Sequence, residues 1–335
     1  MNQITFTTGA AVVAIDTRSH RFRDAVLRAA GSPGVLGLPA EPDVVLAEVE
    51  ADATGFGPGL PVTRGATRHP DGGVELSSAG GSGYRQRWLV DGDRLRVESC
   101  WDPSAKENVA ARALPTRFRS LRGEVLLHYP VLWWASLRGM APLHVSVLEV
   151  NGTVFALAGP GGVGKSSLVS RELASRARVT CDNLAVSDGR ITYGLREPLR
   201  IPEDAGTTVQ TGPRAAHGRR EVHGGRTVPR LEPAAIVVVR RDAGVGRLRP
   251  VDPDEAHRAL VAGTMTAGEL MRFWPMAATL ALATGRGPVM APVDEVARRL
   301  VDRLPCYELQ LGHSPRPPLR DLLAPVTSTR AEVSG

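Results

Sequence analysis

Residues Leu143 to Leu168 read LHVSVLEVNGTVFALAGPGGVGKSSL and carry two signals in close succession. His144 to Val150 and Thr153 to Ala158 are β-rich runs joined by Asn151-Gly152, a dipeptide suited to the type I′ turn of an antiparallel hairpin. The second run leads straight into Gly159-Pro160-Gly161-Gly162-Val163-Gly164-Lys165-Ser166, which satisfies the phosphate-loop pattern G-x-x-x-x-G-K-[ST]. Its glycines let successive backbone N–H groups turn inward on a phosphate, and a helix expected over Gly164 to Ala177 adds its N-terminal dipole. Gly159, Pro160, Gly161, Gly162, Val163, Gly164, Lys165, Ser166 and Ser167 are therefore the expected nucleotide cradle. Lys165 would reach the β- and γ-phosphates, and the Ser166 hydroxyl would ligate Mg²⁺. The plain alternative is a glycine-rich turn that holds no ligand.

Outward from this stretch the chain reads as α/β. Ala234 to Val239 and Cys306 to Leu311 are expected strands; Asp254 to Ala262, Ala267 to Ala283 and Val293 to Leu304 are expected helices. Leu114 to Met140 has apolar residues at helical spacing, with Pro130 expected to kink or divide it. Before it lies a β-rich α+β region: a strand over Ile4 to Ile15, a helix over Arg21 to Ala30, a strand over Asp43 to Ala51, and a hairpin from Tyr84 to Glu98 about Asp91-Gly92-Asp93. Thr54 to Gly83, rich in Gly, Pro and Ser, is expected to be loop. The resulting division is an N-terminal unit over 1–113, a nucleotide-binding catalytic unit over 114–323, and a flexible Pro-rich tail over 324–335.

Composition narrows the function classes. At 335 residues with 42% hydrophobic and 23% charged content, the chain suits a globular protein with room for two cores. No apolar stretch is long enough to span a membrane, no secretory signal is visible at the N-terminus, and the three cysteines lack metal or disulfide spacing. A cytoplasmic protein is the expectation. The net charge of +6 points weakly to nucleic acid, but only Lys106 and Lys165 among the 41 basic residues are lysine, a bias that resembles a high-GC coding preference. Aromatic content of 4% leaves few platforms for stacked bases, so neither a nucleic-acid nor a membrane partner is expected.

Phosphoryl transfer commonly needs a carboxylate beside the loop. Asp182, after Val179-Thr180-Cys181, should end a strand that runs back toward the phosphates; Asp242, two residues beyond the apolar run, is its competitor. Either could instead be a turn or capping aspartate.

Taken together, Leu143-His144, a strand, Asn151-Gly152, a second strand, GPGGVGKSSL, one helix and Cys181-Asp182-Asn183-Leu184 resemble the HPr kinase/phosphatase-like family, whose fold is related to that of phosphoenolpyruvate carboxykinase. Leu304-Pro305-Cys306-Tyr307-Glu308-Leu309 is similar to a closing strand of that group. The resemblance is sharp over Pro142 to Val186, weaker to Leu311 and absent from the N-terminal third. It implies a hairpin entering the P-loop, ATP and Mg²⁺ as cofactors, and transfer of the γ-phosphate to a hydroxyl. That hydroxyl would belong to a Ser-type side chain of a peptide or protein, or to a small-molecule alcohol in specialised biosynthesis. It also implies Asp182 as general base and, with Ser166, metal ligand; Lys165 and His144 as further catalytic residues; and a homo-oligomer as one option. The family's second acidic position is Asn183 here, an amide that cannot accept a proton as a carboxylate does. Neither the family's metal-completing Glu-x-x-Gly-like stretch nor its dephosphorylating signature is found, so kinase rather than phosphatase activity is implied. The alternative is a nucleotide-dependent ATPase switch without kinase activity. His144 could equally be a satisfied histidine between strands.

Thr211 to Arg230, with Arg214, Arg219, Arg220, Arg226, Arg230, His217 and His223 against Glu221, reads as a flexible loop. It could supply an arginine to the transferring phosphoryl group, dock an acidic peptide, or simply be solvated surface. Glu269 or Arg272 could face the site; Met271, Phe273, Trp274 and the pair Trp133-Trp134 are expected in the core.

Overall fold

A computed structural model describes residues 4–31, 40–50, 58–173, 177–202, 211–215, 218–222, 227–242, 247–312 and 318–326. The chain is mixed α/β with several sheets. The first region opens with β1 (Ile4–Thr8), β2 (Ala11–Asp16), α1 (His20–Ala29) and β3 (Val44–Glu48). It continues with β4 (Leu60–Thr63), β5 (Ala66–Arg68), β6 (Val74–Leu76), β7 (Tyr84–Asp91) and β8 (Arg94–Trp101). These strands form one eight-stranded sheet in the order β1-β2-β3-β8-β7-β6-β5-β4, with β3 parallel to both β2 and β8.

Two expectations change here. Ile4 to Ile15 is a hairpin rather than one strand, because Gly9 and Ala10 both take positive φ and close a tight turn. Residues 58–83 are not loop: β4, β5 and β6 form a meander whose three- and four-residue strands are too short to show alternation in sequence.

α2 (Ala105–Ala113) and α3 (Pro115–Gly123) follow, then a wide π-helical turn over Glu124–His128, and α4 (Tyr129–Leu137). Pro130 sits in the first turn of α4, where its missing N–H costs little, so the helical path is divided by the π turn rather than broken. Residues Tyr129 to Ser136 are all buried, as a helix that is apolar all round must be. α4 packs on β2, β3 and β8 of the first sheet and on β9 (Ala141–Leu143) beyond it. Trp133 meets Trp88 edge-on at 5.6 Å, and Arg138 lies over the Trp134 ring, so both tryptophans act in packing. One hydrophobic cluster runs from Phe6 of β1 through α4 to Cys306, tying both parts of the chain together.

The second region holds β10 (Ser146–Val150), β11 (Thr153–Ala158), α5 (Lys165–Leu173), β12 (Val179–Cys181), β13 (Ala185–Ser187) and β14 (Thr192–Gly194). Next come β15 (Leu199–Pro202), β16 (Thr211–Ala215), β17 (Arg219–Val222), β18 (Arg230–Leu231), β19 (Ala235–Arg241) and β20 (Arg247–Pro250). α6 (Pro253–Met265), α7 (Phe273–Thr284), α8 (Val293–Arg303), β21 (Cys306–Leu311) and α9 (Leu319–Leu322) complete it. The central sheet has the order β12-β10-β11-β19-β21-β20. β10 and β11 pair antiparallel, with Val150 opposite Thr153 and Asn151 and Gly152 at positive φ; β11 then runs parallel to β19.

Further differences have local causes. The segment expected as a flexible loop contributes β16, β17 and β18, whose arginine-rich sequence hides any apolar alternation; His217, His223 and Arg226 lie outside the described residues. α7 starts at Phe273 rather than Ala267, since Pro275 is tolerated only in a helix's first turn. Met271, expected in the core, is exposed, whereas Phe273 and Trp274 are buried. Before the tail, and reaching into it, Leu319, Leu322, Leu323 and Val326 are all buried against Leu168 and Val169 of α5 and their neighbours. Their i, i+3, i+4, i+7 spacing is that of a helix face, and the surrounding prolines obscured it.

Candidate functional site

The loop Gly159 to Gly164 leaves the C-terminal end of β11 and enters α5 at Lys165. Its backbone tolerates only glycine at the start. Gly159 has φ of 139°, and a Cβ there would lie 2.7 Å from the carbonyl oxygen of Val239 on the neighbouring strand. α6 closes on the same point, since a Cβ at Gly263 would come within 3.1 Å of the Gly159 carbonyl. Arg241, at the end of β19, donates through Nη2 to the Gly162 carbonyl at 2.9 Å and so fastens the loop's outer side.

Lys165 is 5% exposed, and its Nζ donates to the carbonyls of Gly159 at 2.7 Å and Pro160 at 3.2 Å. Burial pushes the ammonium down to about 8, with Asp182 and Glu269 opposing the shift and Arg219 adding to it. The amine is thus poised at the boundary between charged and neutral near physiological pH.

Asp182 follows β12, which pairs antiparallel with β10 at the edge of the central sheet. Ser146 of β10 anchors the turn by donating through its hydroxyl to the Asp182 carbonyl. The Asp182 side chain is buried, and burial raises its carboxyl to about 6; Ser166, Arg219, Lys165 and Arg200 each pull it back down. Its Oδ1 is buried without a hydrogen-bond partner among the described residues. Asp242 is exposed beyond β19, and its backbone N–H donates to Leu311, so the structure places Asp182 and not Asp242 beside Lys165 and Ser166.

His144 lies between β9 and β10 and is held on three sides. Its backbone N–H donates to Thr264 Oγ1, Nδ1 donates to the Gly263 carbonyl, and Nε2 faces the Asn183 side-chain amide, each at 3.1 Å. Burial first, and Lys165 next, push the imidazole down to about 4, so the ring is neutral near pH 7. Asn183 reaches Glu269 in turn. Burial opposes ionisation of Glu269, but backbone hydrogen bonding, His144, Arg200 and Asn183 outweigh it and hold its carboxyl below the usual range.

A cavity of about 250 Å³ lies beside them, with Lys165, Ser166, His144, Asn183, Arg219 and Glu269 in its walls; the buried Asp182 is not on its wall. Of the alternatives on the turn before α7, Glu269 faces this cavity and Arg272 does not. Arg219 is the member of the arginine-rich segment that reaches it, and Arg241 joins from β19. Arg241 could not be picked out from sequence, because nothing marks it apart from Arg240 except which face of β19 meets the loop. On the far side of the loop, a cavity of about 500 Å³ is lined by Val238, Val239, Ala259, Ala262 and Thr266. Its walls suit a flat apolar or heterocyclic group next to a phosphate cradle.

Among the described residues no group of three or more His, Cys, Asp or Glu side chains could hold a metal ion alone. The partnerless Asp182 oxygen beside the Ser166 hydroxyl nevertheless fits a hard cation that keeps water and takes its remaining ligands from phosphate. No helix among the described residues is long and apolar enough to cross a membrane.

No protein-family model and no curated protein matches the chain. Among solved structures, the Hpr(Ser) kinase/phosphatase from Coxiella burnetii is similar over 58% of this chain and 99% of its own length, at 10% identity and a TM-score of 0.27. A likeness this slight establishes neither a shared fold nor a shared activity.

Proposed function

We propose that the protein is an ATP- and Mg²⁺-dependent kinase that transfers the γ-phosphate to a hydroxyl of a peptide, protein or small molecule. The observation that carries this reading is the buried, partly satisfied carboxylate of Asp182, hydrogen-bonded to Ser166 and within electrostatic reach of Lys165. On this reading the phosphates lie along Gly159 to Ser167, and the purine occupies the apolar cavity between the loop, β19 and α6. Ser166 and Asp182 would hold Mg²⁺, which neutralises phosphate charge when bound. Lys165 leaves the Gly159 and Pro160 carbonyls to bind the β- and γ-phosphates, and Arg219 faces the same space from β17.

Asp182 takes the proton from the acceptor hydroxyl as its oxygen attacks the γ-phosphorus, and the bond from that phosphorus to the β-phosphate oxygen breaks to release ADP. A carboxyl raised to about 6 is a stronger base than an ordinary aspartate and is still mostly ionised at pH 7. His144 contacts the Asn183 side chain, and Asn183 in turn hydrogen-bonds Glu269 at the cavity wall. Membership of the HPr kinase/phosphatase-like family, the division into units at about residue 113, and a cytoplasmic setting belong to the same proposal. Incubating the protein with γ-labelled ATP and candidate alcohols tests it: the expected product is an acid-stable phosphate ester. Release of inorganic phosphate alone, with or without partner binding, would favour the nucleotide-switch reading instead.

A further inference from the structure

A second cavity, of about 340 Å³, opens away from the glycine loop. Its walls come from α1, α3 and the small sheet of β15, β17 and β16, and six arginines line it: Arg21, Arg28, Arg119, Arg122, Arg200 and Arg214. Two carboxylates, Asp24 and Glu221, face them. Packing, not charge, brings these elements together. A Cβ at Gly123 of α3 would lie 2.9 Å from the Ala29 Cβ of α1, and a Cβ at Gly31, where φ is +67°, would lie 2.7 Å from the Glu197 backbone. The arginines therefore converge on a scaffold that holds them at close quarters despite their mutual repulsion.

Their pairing is incomplete. Many arginines elsewhere on the surface are matched, as in Arg96 with Asp16, Arg178 with Glu149 and Arg249 with Glu308. Among the described residues Arg21, Arg28 and Arg119 form no ion pair, and the buried Nε of Arg122 has no hydrogen-bond partner. Arg200 lies 4.0 Å from Glu197 and lines this cavity.

We infer that this cleft is a second binding site, separate from the glycine loop, for a small molecule bearing a phosphate ester or diphosphate. Guanidinium forks suit phosphate oxygens in pairs, several of them are needed to offset a multiply charged group, and the volume is that of a small metabolite rather than a macromolecule. The site does not depend on the kinase reading.

The test uses the full chain carrying Lys165→Ala, which weakens the glycine loop, and pyrophosphate as the probe at ionic strength matched with NaCl. Isothermal titration should show pyrophosphate binding that weakens at least tenfold when Arg28→Gln and Arg119→Gln are added. In the chain with its native loop, the same two exposed substitutions should leave ATP affinity unchanged, which also shows that the variant is folded. Absence of pyrophosphate binding in the Lys165→Ala chain, or binding that is indifferent to the two arginine substitutions, would overturn the inference.

Discussion

The Ser166 hydroxyl partly stabilises the buried carboxylate of Asp182, whose Oδ1 has no hydrogen-bond partner among the described residues. The two residues lie sixteen positions apart, at the start of α5 and at the end of β12, and meet because β12 folds back beside β10. A buried acid left short of partners is costly, and such costs concentrate where a ligand or reaction uses the group.

Replacing Asp182 with Asn should abolish phosphoryl transfer while nucleotide still binds. It should also stabilise the protein by an amount that grows from about pH 4 and is complete above about pH 6. Because the folded-state carboxyl is raised from 3.8 to about 6, the folded chain holds the proton more tightly, and stability contributed by this group is lost as pH rises through that window. An amide escapes the penalty, which is on the order of 2 to 3 kcal/mol for a shift of about two units. Denaturant melts of both proteins at about pH 4 and pH 8 measure the difference, which should be small at the lower pH and complete at the higher.

Activity should follow a bell against pH. The acid limb reflects ionisation of Asp182 near 6, and the alkaline limb reflects loss of the Lys165 proton near 8. Below about pH 8 the ammonium is present in the free protein, so ATP affinity owes nothing to pH through this group; above it, binding must first take up a proton and weakens. Titrations of ATP between pH 6.5 and 9.5 should show affinity flat, then falling.

Asn183→Asp places a carboxylate where Asn183 now bridges His144 and Glu269. The like charge faces Glu269, and the amide donor is gone. Transfer should fall at least tenfold rather than rise, although the substitution restores the acidic pair that the family resemblance leads one to expect. Steady-state rates with saturating ATP decide the sign.

Gly159→Ala forces a side chain to a φ of 139° and to 2.7 Å from the Val239 carbonyl. Loss of ATP binding is expected together with a stability loss of about 1 to 3 kcal/mol, the usual range for such backbone strain. Gly161→Ala, where a Cβ meets nothing within 4 Å, serves as the control for stability.

Much of the central sheet was legible because its signals are local. Asn151-Gly152 fixed the hairpin, and β11 and the first five residues of β19 are apolar runs of the kind that buried parallel strands show. The place of the glycine loop between β11 and α5, and of Asp182 beside Ser166, was likewise legible, since glycine spacing and a strand-end aspartate are properties of short stretches. The side chains that complete the cavity wall were legible only in part: Glu269 and Arg219 stood among several candidates, and Arg241 was not marked at all. Arg219, Arg241 and Glu269 come from β17, β19 and the turn before α7, and nothing local to any of them says that three distant segments meet. His144 was visible, but its ring partners, the Gly263 carbonyl and the Asn183 side chain, were not. β4 to β6 and β16 to β18 were missed for a different reason: short or arginine-rich strands carry too little apolar alternation to stand out.

The central claim is phosphoryl transfer by the Lys165–Ser166–Asp182 cluster, and transfer of γ-labelled phosphate from ATP to a hydroxyl acceptor measures it most directly. Wild-type protein, Lys165→Ala and Asp182→Asn would be incubated side by side with a cell extract and then with any acceptor it reveals. The account predicts an acid-stable labelled product with wild type only, Asp182→Asn binding ATP without transferring it, and Lys165→Ala failing at both. Equal labelling by wild type and Lys165→Ala would contradict it.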